Sequence, residues 1–464
     1  PSLKVSGGLG YLLKYPYGCI EQTTSSVFPL LYLRDLAMAI DSHKYNPDSI
    51  SKLVNAGIDR ALSMQTLWGG FGMWPGDRHE YLFGSIYATD FLVEADKAGY
   101  VVPKIAKFLA LSYLEGILAK KNDEYTPELK AYAAYVLAKG GRINASWIRR
   151  LQEMKDKMPI ESRFYVAAAL GVLGDRKAVQ DILGQEFPND KVEREVGGNL
   201  TSYVRQNAVA LSVYMDLDPQ NAMVPVLVSR LEKAMSNGQW ASTQENAQAL
   251  IALGKYARYF SQENIEFNGA VKIGDAVREF NSHNGLEVSD LDLSGKPVEV
   301  SVTGKGTAYV YWTSEGVPTA GQAQEKDSGI KIRRAFLNRD GKAVDLKAVK
   351  HGETVVVDLV IEGAAGLDNV VVEDLLPAGF EIENPRLKNT EKIDWISDDM
   401  IEPVHMDIRD DRLVLFLDVK GGTEHFRYII RAVTKGSFVL PAFKAEEMYD
   451  PSVVSVSWQG RVQV

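Results

Sequence analysis

Ala169-Leu170-Gly171-Val172-Leu173-Gly174 returns further along the chain as Ala249-Leu250-Ile251-Ala252-Leu253-Gly254. In both copies an Ala-Leu-x-x-Leu stretch of helical spacing runs into a glycine, the residue that closes a helix in the left-handed conformation. Both are read as helix endings. Gly140 lies one helical hairpin before Gly174, so the repeating unit is a helix pair of roughly 35 to 40 residues. Such a pair cannot bury its apolar face alone. It must stack in an array or close into a ring, and the expected fold is a closed α/α toroid of helical hairpins.

Working outward, helix starts recur. Ile50, Leu53, Val54, Ile58, Ala61 and Leu62 share one face, behind Asn46 as a cap and Pro47 at the first helical position. Thr126-Pro127-Glu128 starts a second helix that closes at Gly140-Gly141, and Ser242 with Glu245 reads as a capping box. The helical pattern runs from about Gln22 to Phe260. Beyond Glu263 the period falls to two: Val298, Val300 and Val302 alternate with polar residues, and Tyr309-Val310-Tyr311-Trp312 is strand-prone. Further runs at Val355–Ile361, Val370–Val372, Leu413–Leu417 and Phe426–Val433 read as a sandwich, and Gly316 to Gly329 as a linker. The chain is thus expected to be multi-domain: a toroid over 1–262, a small β-unit over 263–326, and an all-β sandwich over 327–464.

The 464 residues, 45% apolar and 24% charged, describe a folded chain of about two to four domains. Net charge is 52 minus 61, or −9, without a long basic run, which argues against a nucleic-acid partner. No apolar stretch approaches the ~20 residues that span a bilayer, so no direct membrane contact is expected. The chain opens at Pro1 with its strongest motif close behind, and is read as a piece of something larger. A single cysteine excludes an internal disulfide and a cysteine-built zinc site, and no metal or cofactor is expected.

That cysteine stands in Tyr15-Pro16-Tyr17-Gly18-Cys19-Ile20-Glu21-Gln22. On a turn leading into a helix, positions three apart face each other, so the Cys19 thiol can meet the Gln22 carboxamide. Loss of ammonia would join them as a thioester, an acyl group on a good leaving thiolate that a lysine amine could capture. Water would compete, and Tyr15, Pro16 and Tyr17 supply apolar cover while Gly18 allows a tight backbone. A lone cysteine beside an apolar helix is most often an inert core residue. Glu and Gln at these two following positions are expected by chance only about once in several hundred cysteines.

Gly18-Cys19-Ile20-Glu21-Gln22 resembles the thioester motif of alpha-2-macroglobulins and complement thioester proteins, and Tyr15-Pro16-Tyr17 the lead-in of bacterial members. The likeness extends through Gly69-Gly70-Phe71-Gly72, Gly84-Ser85 and Trp240-Ala241-Ser242-Thr243-Gln244-Glu245. In the β half, Glu373 to Glu381 and Met448-Tyr449-Asp450-Pro451 are similar to the terminal macroglobulin domain of bacterial members. The resemblance implies a thioester domain inserted in a CUB domain, whose second part would be 263–326, then a macroglobulin domain to Val464. It implies a monomeric, broad-spectrum protease trap with target proteases as covalent partners, acting once per molecule rather than as an enzyme. It implies a periplasmic location, the full-length protein being an inner-membrane lipoprotein, with bait region and earlier domains outside this chain. Met448 and Tyr449 would complete the thioester cover. Some members carry a histidine, after the fourth ring helix, that passes the acyl group to hydroxyls. Between Asn122 and Thr126 there is none, which implies direct transfer to amines.

Two other readings compete. Helical rings also serve terpene cyclases, prenyltransferases and glycosidases, but no Asp-x-Asp-Asp motif occurs in the helical half and no histidine surrounds Cys19. A Cys19–His79 nucleophile pair would leave Glu21 and Gln22 unexplained, and His79 is expected to be an exposed loop residue. A noncatalytic scaffold would not need both Cys19 and Gln22. Asp407 to Asp411 is expected to be a solvated turn, and the Gly69 stretch a turn rather than a phosphate cradle.

Overall fold

Asn46 caps the helix Pro47–Leu62 by accepting the Ser49 amide at 2.9 Å, and Thr126 caps Pro127–Lys139 by accepting that of Leu129. Both starts are where the sequence places them, with proline in the first turn. A computed structural model describes residues 6–14, 18–33, 46–121, 124–184, 187, 192–236, 238–260, 266–282, 286, 297–305, 310, 324–364, 366–383, 393–397 and 399–464. Two units emerge, one of 1–193 with 201–313 and one of 194–200 with 314–464.

The first unit holds twelve helices among the described residues: α1 Ser6–Lys14, α2 Ile20–Val27, α3 Pro47–Leu62, α4 Leu82–Lys97, α5 Lys104–Ala119, α6 Pro127–Lys139, α7 Ala145–Glu153, α8 Ile160–Val172, α9 Arg176–Leu183, α10 Tyr203–Leu217, α11 Met223–Lys233 and α12 Thr243–Phe260. The even-numbered helices α2, α4, α6, α8, α10 and α12 pack each on the next, and α12 returns to α2. They form a closed inner ring. The odd-numbered helices lie outside, α3 on α2, α5 on α4 and α6, α7 on α6 and α8, α9 on α8, α11 on α10, and α1 on α12 and α2. Composition follows position. Most residues of α4 and α8 and every residue of α12 from Thr243 to Gly254 are buried, whereas outer α3 buries only a stripe of Ile50, Val54, Gly57, Ile58 and Ala61. Leu53, placed on that stripe by spacing, is instead exposed.

The repeat that suggested the ring proves to be two different things. Gly174, at φ +78°, does close α8, whereas Gly254 lies inside α12, which continues to Phe260. There a Cβ would stand 2.9 Å from Leu33 Cδ2 and 3.1 Å from the Tyr32 carbonyl, so the glycine serves close packing. Ser242 caps α12 by accepting the Glu245 amide, but the Glu245 carboxylate accepts from the Ala241 amide rather than that of Ser242, so the expected box is shifted by one residue.

Strands β1 Glu266–Ile273, β2 Ala276–Asn281 and β3 Val298–Lys305 make an antiparallel sheet in the order β2-β1-β3. Tyr309, Tyr311 and Trp312 lie outside the described residues. The expected linker ends early, because Lys326–Ser328 is strand β4.

The second unit continues with β5 Ile330–Leu337, β6 Thr354–Gly363, β7 Leu367–Leu375, β8 Phe380–Ile382, β9 His405–Ile408, β10 Arg412–Val419, β11 Gly422–Ala432, β12 Ser437–Leu440, β13 Lys444–Glu447, β14 Val454–Val456 and β15 Gly460–Gln463. All eleven of these and β4 hydrogen-bond in two sheets, the larger in the order β8-β11-β6-β5-β4-β14-β13-β7-β10-β9 and the smaller pairing β12 with β15. Inward residues of both halves of that sheet, such as Val357 and Leu359 of β6 or Val372 and Leu415 of β7 and β10, share one apolar core, so the ribbon doubles over into two layers. β6 reads as continuously apolar because its other face is covered too, Val356 packing with Ile393 and Ile429. Asp374, in the Glu373–Glu381 motif, is fully buried, where it pairs with Arg334 and accepts from Tyr428 OH at 2.7 Å. The expected turn over Asp407 to Asp411 is shorter, because Asp407 and Ile408 end β9 and only Arg409 to Asp411 connect it to β10; Asp407 accepts from Arg409 and Asp411 from Arg412.

Candidate functional site at the first turn of α2

Cys19 is the N-cap of α2, with extended backbone at φ −64° and ψ 168°. Its sulfur accepts the Gln22 amide at 3.5 Å, in the way a capping oxygen accepts the amide three residues on. The two side chains therefore rise from the same end of one helical turn. Cys19 is 0% exposed and Gln22 2%. Both polar atoms of the Gln22 carboxamide, Oε1 and Nε2, are buried without a hydrogen-bond partner among the described residues. An orphaned buried amide group costs about 1–3 kcal/mol, so this one calls for an explanation.

The segments singled out in sequence converge here. The Ile20 amide donates to the Met73 carbonyl at 3.0 Å, which ties the motif to the loop after Gly69–Gly72. That loop is held from behind, since the Phe71 amide donates to Ser85 Oγ at 2.8 Å. Gly84 leaves room for Ile20, because a Cβ there would stand 2.7 Å from Ile20 Cγ2. Gly18, partly buried, offers its carbonyl to Thr23 Oγ1 and Arg60 Nη2, both at 3.2 Å.

Glu21 points the other way, into the ring. It is fully buried, and its carboxylate accepts from Ser25 Oγ at 2.5 Å, Thr243 Oγ1 at 2.8 Å and Gln244 Nε2 at 3.0 Å. Gln244 in turn accepts from Arg205 Nε at 3.1 Å, and Arg205 forms a buried ion pair with Glu161 at 2.6 Å. Ser25 also meets Tyr87 OH at 3.2 Å, and burial followed by the charge of Glu21 raises the Tyr87 pKa. A polar chain thus links α8, α10, α12, α2 and α4 directly beneath the Cys19–Gln22 turn. Sequence reasoning found Glu21 and the Trp240–Glu245 segment but not Arg205 and Glu161. No local signal pairs them.

Tyr15, Pro16 and Tyr17 lie outside the described residues. Met448 and Tyr449, in the second unit at the end of β13, are both buried, and the Met448 amide donates to the Asn369 carbonyl at 3.1 Å. His79 is exposed, as a bland loop histidine should be. Among the described residues no group of three His, Cys, Asp or Glu side chains could hold a metal, and no helix is long and apolar enough to cross a membrane.

Beside Met448, burial first, then Asp450 and Asp368, push the Glu447 carboxyl up to about 7. Asp450 has Arg194 3.8 Å away. The folded second unit therefore holds this proton more tightly than the unfolded chain. Its stabilising effect is complete below pH ~4.5 and is lost as pH rises to about 7. Thermal unfolding of the second unit at pH 5.5 is expected above that at pH 7.5, and Glu447→Gln should shrink the difference. An undiminished difference in the variant would assign the pH dependence to other groups.

Compared with known proteins, residues 329–452 match the family model of the bacterial alpha-2-macroglobulin MG10 domain. Over 97% of its length the chain is 27% identical to alpha-2-macroglobulin of Escherichia coli K12, and over 95% it is 28% identical to that of Xylella fastidiosa Temecula1. The alignments cover 28% of each relative, so the chain spans little more than a quarter of their length. Its whole length also superimposes on structures of Salmonella alpha-2-macroglobulin. A point mutant gives a TM-score of 0.81 at 27% identity, and the form reacted with methylamine 0.78 at 25%, each over 31% of that chain.

Proposed function

This chain being a homologue of the bacterial alpha-2-macroglobulins across most of its length, with an MG10 domain of that family at residues 329–452, we propose that it is the acylating part of a protease trap. Cys19 Sγ attacks the Gln22 side-chain carbonyl carbon, ammonia leaves, and a thioester remains. A surface lysine of an attacking protease then adds through its neutral amine to the same carbon. The C–S bond breaks, the amine loses its proton, and Cys19 departs as a thiolate. The protease is left joined to Gln22 by an amide. Each molecule reacts once, and the substrate class is a protein amine rather than a hydroxyl.

The observation that carries this reading is the buried, partnerless Gln22 carboxamide beside the buried Cys19 thiol. As an amide it leaves two N–H donors unmet among the described residues; as a thioester it has none to meet, so this buried position suits the product better than the precursor. Departure of the thiolate is favoured by its place at the N-terminus of α2, where the Gln22 amide points at the sulfur and the helix dipole favours negative charge. Gly18, Ile20 and Glu21 hold the turn, and Tyr15, Pro16, Tyr17, Met448 and Tyr449 are assigned to its cover against water on the family resemblance alone. We keep the division into a thioester toroid over 1–262, part of a CUB-like domain over 263–326 and a macroglobulin sandwich over 327–464. The periplasm, with a lipid anchor on the full-length protein, is the proposed location.

Intact mass tests the chemistry directly. Fresh protein is expected about 17 Da lighter than its sequence, and methylamine should add about 31 Da while freeing one alkylatable thiol. Full sequence mass with a reactive Cys19 before any treatment would overturn the proposal.

A further inference from the structure

Arg60 stands in the last turn of α3, where a cation suits the carbonyl end of a helix. Its side chain reaches across to the Cys19–Gln22 turn. Nη2 donates to the Gly18 carbonyl at 3.2 Å, and a Cβ built on Gly18 would stand 3.5 Å from Nη2 and 3.6 Å from Nε. The guanidinium therefore lies along the backbone of the residue that precedes Cys19. Thr23 Oγ1, from α2 itself, donates to the same carbonyl at 3.2 Å. Bond lengths keep the Cys19 sulfur within about 6 Å of that oxygen, and so within about 9 Å of the charge.

Beneath the turn the balance of charge is negative, since Glu21 and Glu161 are two carboxylates against the single guanidinium of Arg205. In the loop before α4, Asp77 is engaged by the Trp74 amide at 2.8 Å and Glu80 by Thr66 Oγ1 at 2.7 Å. Arg60 forms no ion pair among the described residues, so its charge meets a neutral carbonyl and is left uncancelled. Acyl transfer adds a further negative charge here. The amine nitrogen bonds to Gln22 Cδ, the electron pair of the C–S bond goes to the sulfur, and the proton of the amine passes to solvent. A fixed cation is most effective where charge develops in this way. It also disfavours an approaching ammonium against the neutral amine, which is the form that reacts.

We propose that Arg60 is a positioning residue for the acylation. It holds the Gly18 carbonyl so that the Cys19 cap keeps its extended backbone, and it places a positive charge that stabilises the departing thiolate against the carboxylates beneath it. The role deepens the thioester reading and rests on it.

The rate of methylamine addition, followed by intact mass at fixed pH and amine concentration, tests it with Arg60→Met and Arg60→Lys, circular dichroism serving as the check on folding. Arg60→Met is expected to react about threefold slower, the effect of one screened charge at that distance. In the methylamine-treated protein, the pH midpoint for alkylation of the freed Cys19 by iodoacetamide should rise by about half a unit in the same variant. Arg60→Lys keeps the charge and should recover most of both, and about 1 M NaCl should narrow the gap between the unmodified chain and Arg60→Met. A brace without an electrostatic role gives the opposite sign, because a loosened turn admits amine faster. An Arg60→Met chain that reacts as fast or faster, or whose alkylation midpoint stays in place, overturns the proposal while the thioester stands. Full sequence mass in the fresh unmodified chain overturns the thioester reading, and this role with it.

Discussion

Cys19→Ala is expected to remove covalent capture entirely while leaving the fold in place. Alanine keeps the backbone and loses only the sulfur at a helix N-cap, so the cost is that of a lost cap and a small buried cavity, about 1–2 kcal/mol in a large helical unit. The chemistry has no such reserve. With no thiol there is no thioester, and the Gln22 carboxamide is as unreactive as any other amide. Mixing the variant with a protease should give no conjugate that survives boiling in detergent, and methylamine should leave its mass unchanged. Gln22→Ala should fail equally but keep an alkylatable Cys19, which separates loss of the acyl group from loss of the thiol. A Cys19→Ala variant that still captured protease would leave the scaffold reading in possession.

How much of this was legible depends on distance along the chain. Cys19 and Gln22 are three residues apart, so helical geometry alone brings them together, and the structure adds only that they are buried and that the carboxamide has no partner among the described residues. Glu21 was visible as a letter of the motif, but the residues that explain it, Thr243 and Gln244, are 222 and 223 positions away. Closure of the ring puts α12 beside α2, and no local pattern announces which polar pairs will meet across that seam. The glycines show the same limit differently. Gly174 and Gly254 follow identical Ala-Leu-x-x-Leu stretches, yet one needs a left-handed backbone and the other a bare Cα against Tyr32 and Leu33. Leu53 likewise satisfies the helical spacing but faces solvent, because the buried stripe on an outer helix is narrower than the spacing allows.

Arg205→Ala should have the largest effect on stability, and part of it should be felt at the proposed Cys19–Gln22 thioester. Arg205 is 1% exposed, its guanidinium paired with buried Glu161, donating to Gln244 and lying 4.9 Å over the Phe83 ring centroid. Removing it strands the Glu161 carboxylate in a dry interior. Breaking a buried pair in this way costs about 3–5 kcal/mol, and at a few degrees per kcal/mol the helical unit should melt on the order of 10 °C lower. Arg205→Met with Glu161→Leu removes both charges and should recover most of that loss. Recovery at the site is a separate matter, because Gln244 still loses the donor that holds its side chain toward Glu21. Glu21 then keeps Ser25 and Thr243 but has a looser third partner, and the first turn of α2 is less firmly set. The double variant is therefore expected to regain its melting temperature while incorporating methylamine, or losing its thioester to water, faster than the unmodified chain. If melting temperature and methylamine rate returned together, the polar chain would be a brace for the ring alone, with no part in keeping the proposed Cys19–Gln22 thioester.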